Sequence, residues 1–494
     1  MKKIGFDSGK YISRQSEHIR ERVSQFGGKL YLEFGGKLFD DYHAARVLPG
    51  FKPDNKIRML LELRDQVEIL IAINAGDIEK NKRRGDLGTT YADEVSRYID
   101  VYRGYGFQVA SVVLTRYADQ PAAQMFERRM GSMGIRVYRH YPIANYPSDV
   151  NLAVSDEGFG RNDFAKTERP IVVVTAPGPG SGKLATCLSQ LYHENKRGVK
   201  AGYAKFETFP VWNLPLKHPV NLAYEAATAD LADVNMIDPY HLEAYGQTTI
   251  NYNRDIEAYP ILQAMFERIY GTCPYKSPTD MGVNMIAFAI VDDEACREAS
   301  RQEVIRRWYK TLAQIKRGVS EDGERQKIAV LMQQMNIHPE DRAVVPAALA
   351  RAEATGSPAA AIELVDGRIV TGKTSDLLGP SAAVLLNALK LLAGIGPEVD
   401  LLAPGVLRSI QSLKTDYMKS RNPRLHTDEA LIALSISAAS DENAACAMHR
   451  LAELADCEVH STVLLSSVDE GVFMRLGMNL TCDPHYENSN FYHK

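Results

Sequence analysis

The sequence predicts a multi-domain α/β protein whose N-terminal part is a mostly parallel, three-layer sheet. Strand-like apolar runs alternate with helix-like segments over the first two-fifths of the 494 residues. The connections are long enough for right-handed helical crossovers between parallel strands. The pattern then turns helical, and the last part returns to α/β. We expect an α/β domain in residues 1–218, a mainly helical domain in residues 219–335 and a C-terminal α/β domain in residues 336–494.

Hydrophobic periodicity and capping residues place the N-terminal elements in order. Thr90 followed by Asp93, for example, is typical of a helix start. The expected strands are residues 65–74, 108–115, 135–141, 171–175 and 200–208, and the expected helices are residues 90–105, 120–133 and 183–195. Ligands of parallel sheets bind beyond the carboxyl ends of the strands. The loops after Asn74 and Thr115 and the loop 177–182 should therefore be neighbours.

The same signals place the later elements. Thr427 followed by two acidic residues is one of the clearer helix starts. The expected helices are residues 221–233, 253–270, 323–335, 343–353, 381–393, 404–419, 427–440 and 442–455, and the expected strands are residues 283–291 and 458–465.

The most informative motif is IVVVTAPGPGSGK at residues 171–183, an apolar run followed by a glycine-rich turn and a lysine. Such a turn suits phosphate, because backbone N–H groups and a helix N-terminus face the anion and the lysine reaches its outer oxygens. The residues expected to hold the phosphates are Gly178, Gly180, Ser181, Gly182 and Lys183. Lys183 is also a catalytic candidate.

The motif departs from the standard P-loop pattern. Pro177 stands where the pattern has its first glycine, and Leu184 stands where it has the hydroxyl that binds Mg²⁺. Thr186 lies three residues past the lysine and needs another geometry to serve a metal. ATP with Mg²⁺ is one expectation for the cofactor, and a glycine-rich turn with a surface lysine is the plainer alternative.

Two other segments are candidates to complete a nucleotide site. Arg83 and Arg84 suit bidentate contacts with phosphate, although short charged loops usually face water. The apolar run 283–291 predicts a buried strand that ends in Asp292 and Asp293, where a Walker B carboxylate would serve Mg²⁺ as a catalytic residue. The alternative is that one of these two acids caps the following helix.

A second glycine-lysine motif, GRIVTGKT at residues 367–374, matches the full P-loop pattern. Its first glycine, however, belongs to an Asp-Gly hairpin signal between two strand-like runs. A P-loop needs a loop that feeds a helix, so we expect Ile369 and Val370 to lie in a β-ladder instead. An enzyme site in the C-terminal domain near Lys373 stays open as an alternative.

Composition narrows the functional classes. A net charge of −4 argues against a nucleic-acid binder with a broad basic surface. No apolar run is long enough to span a membrane, and the first residues lack an apolar signal segment. Six cysteines without a CxxC motif are typical of reduced thiols. We expect a cytoplasmic protein that binds neither nucleic acid nor membrane, with homo-oligomerisation left open.

Three segments, GFDSGKYISRQSEHI, TAPGPGSGKLATCLSQLYH and TGKTSDLLGPSAA, resemble the bacterial family called domain of unknown function 1846. The resemblance runs over essentially the whole chain and implies several α/β and helical subdomains. Some members of that family carry the label ATP-dependent zinc protease. The turn at Gly178 is in keeping with the first half of that label, whereas no motif in the sequence supports zinc.

The leading expectation is a nucleotide- or phosphate-binding enzyme of the phosphoryl-transfer or ATP-dependent type, with a small phosphorylated ligand. The alternatives are a non-catalytic oligomeric protein that binds a phosphorylated metabolite, and an enzyme with its site near Lys373.

We predict that the purified protein carries no stoichiometric zinc and cleaves no peptide. His193 and Glu194 are followed by Asn195, Lys196 and Arg197, so the His-Glu-x-x-His helix of zinc proteases is missing. Metal analysis after dialysis against a chelator checks this, and one retained equivalent of zinc would contradict it.

Overall fold

The computed structural model describes residues 3–35, 38–39, 41–84, 88–231 and 233–487. The chain forms two compact units. The first, called here the sheet unit, comprises the described residues within Ile4–Glu225 and Ala232–Arg297. The second, the C-terminal unit, comprises those within Met1–Lys3, Ala226–Leu231 and Glu298–Lys494. The α/β class is confirmed, while the three-domain division with boundaries at residues 218 and 335 stays a prediction.

Nine strands lie within the described residues of the sheet unit. In chain order its elements, up to the helix that continues into the C-terminal unit, are α1 (Ser8–Gln25), β1 (Leu30–Phe34), α2 (Tyr42–Val47), α3 (Asn55–Leu61), β2 (Val67–Asn74), α4 (Ala75–Glu79), α5 (Tyr91–Gly104), β3 (Gln108–Thr115), α6 (Pro121–Ser132), β4 (Arg136–Arg139), α7 (Val150–Ala153), β5 (Ile171–Thr175), α8 (Lys183–Lys196), β6 (Gly202–Phe206), α9 (Pro219–Ala227), β7 (Asn235–Ile237), α10 (Pro239–Tyr245), β8 (Ile250–Tyr252), α11 (Asn253–Tyr270), β9 (Gly282–Val283) and α12 (Asp293–Lys316).

Seven of these strands form one parallel sheet in the order β4-β3-β2-β5-β1-β6-β9. Strand β5 lies near the middle, with Ile171 in register with both Leu30 and Val67. All five residues of β5 are buried, as the apolar run IVVVT requires. On one face, Val172 and Val174 pack against Leu188 of α8. The predicted parallel sheet is confirmed.

Most predicted N-terminal elements are confirmed within a few residues, including the Thr90 cap, whose side chain accepts a hydrogen bond from Asp93 N. The predicted strand 283–291 is wrong. Strand β9 ends at Val283, because Oδ1 of Asn284 accepts a hydrogen bond from Ile286 N at 3.1 Å and turns the chain. The residues that follow form a short 3₁₀ turn.

The C-terminal unit has its own sheet and core. After α12 its elements are α13 (Asp322–Met335), α14 (Val344–Thr355), β10 (Ala359–Glu363), β11 (Ile369–Lys373), α15 (Pro380–Ala393), α16 (Pro404–Ser412), α17 (Thr427–Ser437), α18 (Glu442–His449), β12 (Glu458–Ser461), α19 (Ser467–Arg475) and β13 (Asn479–Cys482). The strand order is β11-β10-β12-β13. Strand β10 is antiparallel to both neighbours, and β12 is parallel to β13.

The second glycine-lysine motif is a hairpin, as predicted. Ile369 and Val370 pair with Glu363 and Ile362, and Gly367 supplies the left-handed turn with φ 86°. Helix α15 does not begin until Pro380.

Among the described residues of both units, no helix is long and apolar enough to cross a membrane.

We predict that Gly372→Ala destabilises the protein. A Cβ on Gly372 would overlap the backbone N of Val384 in α15, so the helix or β11 must shift. Forced overpacking of this kind costs roughly 1–3 kcal/mol. Thermal unfolding should show a lower Tm for this variant.

Gly323→Ala is the matched control, because Gly323 lies in α13 and no atom lies within 4 Å of its added Cβ. Alanine there should leave the Tm unchanged or raise it slightly. A parental Tm for Gly372→Ala would contradict the close packing of β11 on α15.

Candidate functional site

The glycine-rich segment connects β5 to α8 at the carboxyl edge of the parallel sheet. Helix α8 begins at Lys183, and Gly182 before it adopts a left-handed conformation with φ 85°. The buried Ser181 hydroxyl donates to the carbonyl of Gly178 at 2.7 Å. The hydroxyl of Thr186 donates to the carbonyl of Gly182 at 2.9 Å. Both hydroxyls therefore stabilise the loop through hydrogen bonds to its own backbone carbonyl groups.

Several backbone donors of this loop are left without an acceptor among the described residues of the protein. None of the backbone N–H groups from Gly180 to Ala185 donates to a described residue. The half-buried Lys183 forms no ion pair within the part of the chain that the structure describes. A helix N-terminus, free amides and an uncompensated ammonium together favour an anion.

Three loops meet at this point, as the sequence predicts. The side-chain amide of Asn74, at the end of β2, donates to the carbonyl of Gly180 at 3.4 Å. The hydroxyl of Thr115, at the end of β3, donates to the carbonyl of Ser181 at 2.7 Å. The Tyr91 hydroxyl fills the space beside Gly178 that a Cβ would need, which explains a glycine there.

Arg116, which the sequence analysis overlooked, directly follows Thr115 at this edge. It is exposed, and its φ of 53° is left-handed, a conformation that non-glycine residues seldom adopt. The positive charge of Arg116 acts on the nearby Tyr146. Burial and Glu33 raise the pKa of the Tyr146 phenol to about 12, and Arg116 opposes this shift. Arg116 is therefore a second cation near the loop.

The two predicted arginines occupy different environments. Arg84 is buried, forms an ion pair with Glu94 and donates to the Tyr98 hydroxyl at 3.3 Å. Burial disfavours the charge of Glu94, but Arg97 and Arg84 lower its pKa below the ordinary value. Arg83 is exposed and donates to the carbonyl of Gly88 at 2.6 Å. Their roles as phosphate ligands stay predictions.

The structure does not bring the predicted acidic pair to the loop. Asp292 accepts a hydrogen bond from Ala295 N at 3.0 Å, which is the helix-cap alternative. Asp293 bonds His218 at 2.9 Å and Arg297 at 2.6 Å, and these partners lower its pKa although burial opposes them. The strand before them, β9, is the third strand along from β5. The Walker B interpretation assumed a strand that runs up to Asp292, whereas β9 ends at Val283.

A group of polar residues that the sequence analysis missed lies along β1 and β6, mostly toward their carboxyl ends, with Asp255 of α11 beside them. We call it the β1/β6 cluster: Glu33, Tyr203, Lys205, Glu207 and Asp255. The ammonium of Lys205 contacts Glu207 Oε1 at 2.5 Å and also pairs with Asp255. The Tyr203 hydroxyl donates to Glu33 Oε2 at 2.8 Å. One lysine thus stands among three buried or half-buried carboxyl groups.

Burial shifts the ionisation of this cluster. It raises the pKa of Glu207 to about 7, although Lys205 opposes the shift. Burial also disfavours the ammonium of Lys205, but Asp255 and Glu207 outweigh it and raise its pKa. Burial and the nearby Glu33 raise the pKa of Tyr203. A carboxyl that titrates near neutral pH in a cluster at the ligand edge is a candidate acid–base group.

The cluster and helix α8, which follows the loop, lie on the same face of the sheet. Tyr31, which points the same way from β1 as Glu33, donates its hydroxyl to Glu194 of α8 at 2.7 Å. Strand β6 is two strands from β5 in the sheet order, so about 10 Å separate these two strands. Among the described residues, no three or more His, Cys, Asp or Glu side chains are arranged so that they could hold a metal ion together.

We predict that Glu207 makes stability fall as the pH rises from about 4.5, its ordinary pKa, to about 7. Over this window the folded protein keeps a proton that the unfolded chain has lost, which favours unfolding as pH increases. Glu207→Gln cannot lose a proton. Thermal unfolding should show that the Tm of the parent falls relative to that of the variant between pH 5 and 7.5, which corresponds to a loss of unfolding free energy on the order of 1–3 kcal/mol.

Glu257→Gln removes an exposed carboxyl of α11 and is the matched control. Its Tm should follow that of the parent at every pH. Parallel pH profiles for Glu207→Gln and the parent would contradict a raised pKa in the cluster.

Comparison with known proteins places the chain in a family. The model for domain of unknown function DUF1846, N-terminal, matches residues 4–336, and the C-terminal model matches residues 340–492. UPF0371 proteins of Streptococcus thermophilus (strain CNRZ 1066) and Streptococcus sanguinis (strain SK36) are 58% identical, and one of Streptococcus pneumoniae (strain Hungary19A-6) is 57% identical. Each alignment spans 494 residues and 100% of both chains. The chain therefore belongs to the DUF1846 family.

Proposed function

We propose that the β5–α8 loop binds the phosphate of a small phosphorylated ligand, and that the β1/β6 cluster acts on that ligand as an enzyme. The uncompensated ammonium of Lys183 at the start of α8 carries the proposal. A half-buried cation without a carboxylate partner, next to free backbone amides, is stabilised when an anion binds. Arg116 adds a second positive charge at the same edge.

The strand order supports a ligand site at this position. The chain leaves β2 toward β3 on one side and leaves β5 toward β6 on the other. With right-handed crossovers, the helices after β2 and β5 lie on opposite faces, which opens a crevice between the two strand ends. Asn74 and Gly180 line up across this crevice. Small-molecule ligands of open α/β sheets bind in such crevices.

The residues around the loop do not fit the Mg²⁺ site of a standard P-loop. Leu184 offers no hydroxyl, and the hydroxyl of Thr186 already donates to Gly182. Asp292 and Asp293 are engaged elsewhere. We therefore propose that amides and cations, without a metal, hold the phosphate, so that a phosphate ester or a nucleotide is bound through direct contacts.

The spacing of the two strands that lead to the loop and to Glu207 suggests how such a ligand would lie. About 10 Å separates β5 from β6, close to the span from a terminal phosphate to the far part of a sugar phosphate or nucleotide. With the phosphate at Lys183, the reacting group would lie over Glu207. A carboxyl with a pKa of about 7 can both accept and donate a proton at neutral pH. Phosphoryl transfer or another proton-coupled reaction is thus the proposed class.

We predict that Lys183→Ala weakens the binding of inorganic phosphate and of ATP by about tenfold or more, because it removes the charge that faces the anion. Calorimetry with and without a chelator measures this, and the chelator should not reduce binding. Lys166→Ala is the control, since Lys166 is an exposed lysine that precedes β5 at the other edge of the sheet. Equal affinities of Lys183→Ala and the parent would contradict the proposal.

The main alternative is a non-catalytic oligomeric protein that senses a phosphorylated metabolite through the same loop. The β1/β6 cluster favours an enzyme, because a sensor needs no buried carboxyl that titrates near neutral pH. If the parent hydrolyses ATP or a phosphate ester, Glu207→Gln should abolish turnover and leave phosphate affinity unchanged. Phosphate binding without any turnover in the parent would support the sensor instead.

A further inference from the structure

The C-terminal unit contains a cavity that the proposed phosphate site does not use. Its volume is about 370 Å³, and its walls come from the segment after β11, from α15, from the segment before α16 and from α16 itself. Cavities from about 300 Å³ upward hold small organic ligands. Leu377, Leu378 and Ala383 in this wall belong to the segment TGKTSDLLGPSAA, which has no role in the sheet unit.

The body of the cavity is aliphatic. Its lining contains no aromatic side chain among the described residues, and six leucines dominate it: Leu377, Leu378, Leu386, Leu401, Leu402 and Leu407. Three of them are buried in the core of the unit, and two more pack against that core. Flexible aliphatic walls without a ring for stacking favour an alkyl chain over a planar aromatic ligand.

The polar part of the lining carries a net positive charge and also includes the neutral side chains of Asn387 and Gln411. Its charged side chains are two cations, Lys390 and Arg408, and one carboxylate, Asp400. The ammonium of Lys390 donates to a neutral acceptor, the carbonyl of Pro397, at 3.1 Å. The exposed Arg408 forms no ion pair with any residue that the structure describes. The guanidinium is therefore available to a carboxylate, which it can bind through two hydrogen bonds.

Hydrogen bonds hold the walls in place without a ligand. The hydroxyl of Ser375 accepts from the backbone N–H groups of Leu377 and Leu378 at 3.3 and 3.1 Å. Leu425 N donates to the carbonyl of Leu377 at 2.9 Å. A π-helical turn, Leu413–Tyr417, follows α16, and such turns are frequent beside functional sites. A preformed cavity loses little conformational entropy on binding.

We propose that this cavity binds a small aliphatic carboxylate, with its alkyl chain against the leucines and its carboxylate at Arg408 and Lys390. The proposal is independent of the phosphate site. A cavity of this volume accommodates a medium-length chain but not a diacyl lipid.

The test is calorimetric titration of the full-length protein with octanoate at neutral pH and low salt. The parent should bind octanoate saturably and should not bind acetate, which lacks the alkyl chain, or neutral octyl glucoside, which lacks the charge. Leu407→Trp fills the cavity and should abolish binding. Arg408→Gln removes an exposed charge without disturbing the fold and should weaken binding about tenfold.

Matched controls are Leu413→Trp and Arg421→Gln, because Leu413 and Arg421 are exposed and do not line the cavity. Both should bind octanoate like the parent, and so should Lys183→Ala, which alters only the phosphate site. The proposal is overturned if the parent does not bind octanoate. It is also overturned if Leu407→Trp and Arg408→Gln both bind it with parental affinity, or if octyl glucoside binds as tightly.

Discussion

The insertion of β5 between β1 and β2 is the constraint on which the sheet unit depends. Strands β2, β3 and β4 all lie on one side of β1. The chain then returns, and β5 pairs with both β1 and β2. A parallel strand in that position must be apolar on both faces, and IVVVT meets this requirement. The return also reverses the direction of the crossovers, so the loop after β5 must leave the sheet beside the loop after β2. The position of the proposed crevice and the start of α8 beside it follow from this one connection.

The buried charges of the β1/β6 cluster carry a desolvation penalty that an apolar core would avoid. Apolar residues could fill the space of Lys205, Glu207 and Asp255 without desolvating charges. Burial keeps a proton on Glu207 near neutral pH. Shifted pKa values are concentrated at functional sites, and Glu207 lies at the carboxyl edge of a parallel sheet, which supports the acid–base role proposed for it.

Sequence reasoning predicted the elements whose local patterns agree with their tertiary environment. Strand β3 and helix α11 have the predicted boundaries, and the hairpin at Gly367 follows from its turn chemistry. Strand β1 was missed because Glu33 interrupts its apolar pattern. That residue is buried by contacts with Tyr203, which is 170 positions away in sequence and could not be foreseen. The two glycines after Phe34 were the one local sign of a strand end.

The same limit explains the outcome at the candidate site. The loop 177–182 and its neighbours could be placed because parallel sheets impose a rule on strand ends. The partners of Asp293 could not, since His218 lies in a segment with no recognisable period. Asn284 ended the predicted strand 283–291 through a side-chain bond to its own backbone, a local effect that an apolar run conceals.

The most direct test of the account is a crystal structure of the protein soaked with inorganic phosphate. The account predicts phosphate at the N-terminus of α8, within hydrogen-bonding distance of the Lys183 ammonium and of backbone N–H groups between Gly180 and Ala185, and no metal between phosphate and protein. Phosphate bound only elsewhere, or a loop closed by a carboxylate of the protein itself, would contradict it.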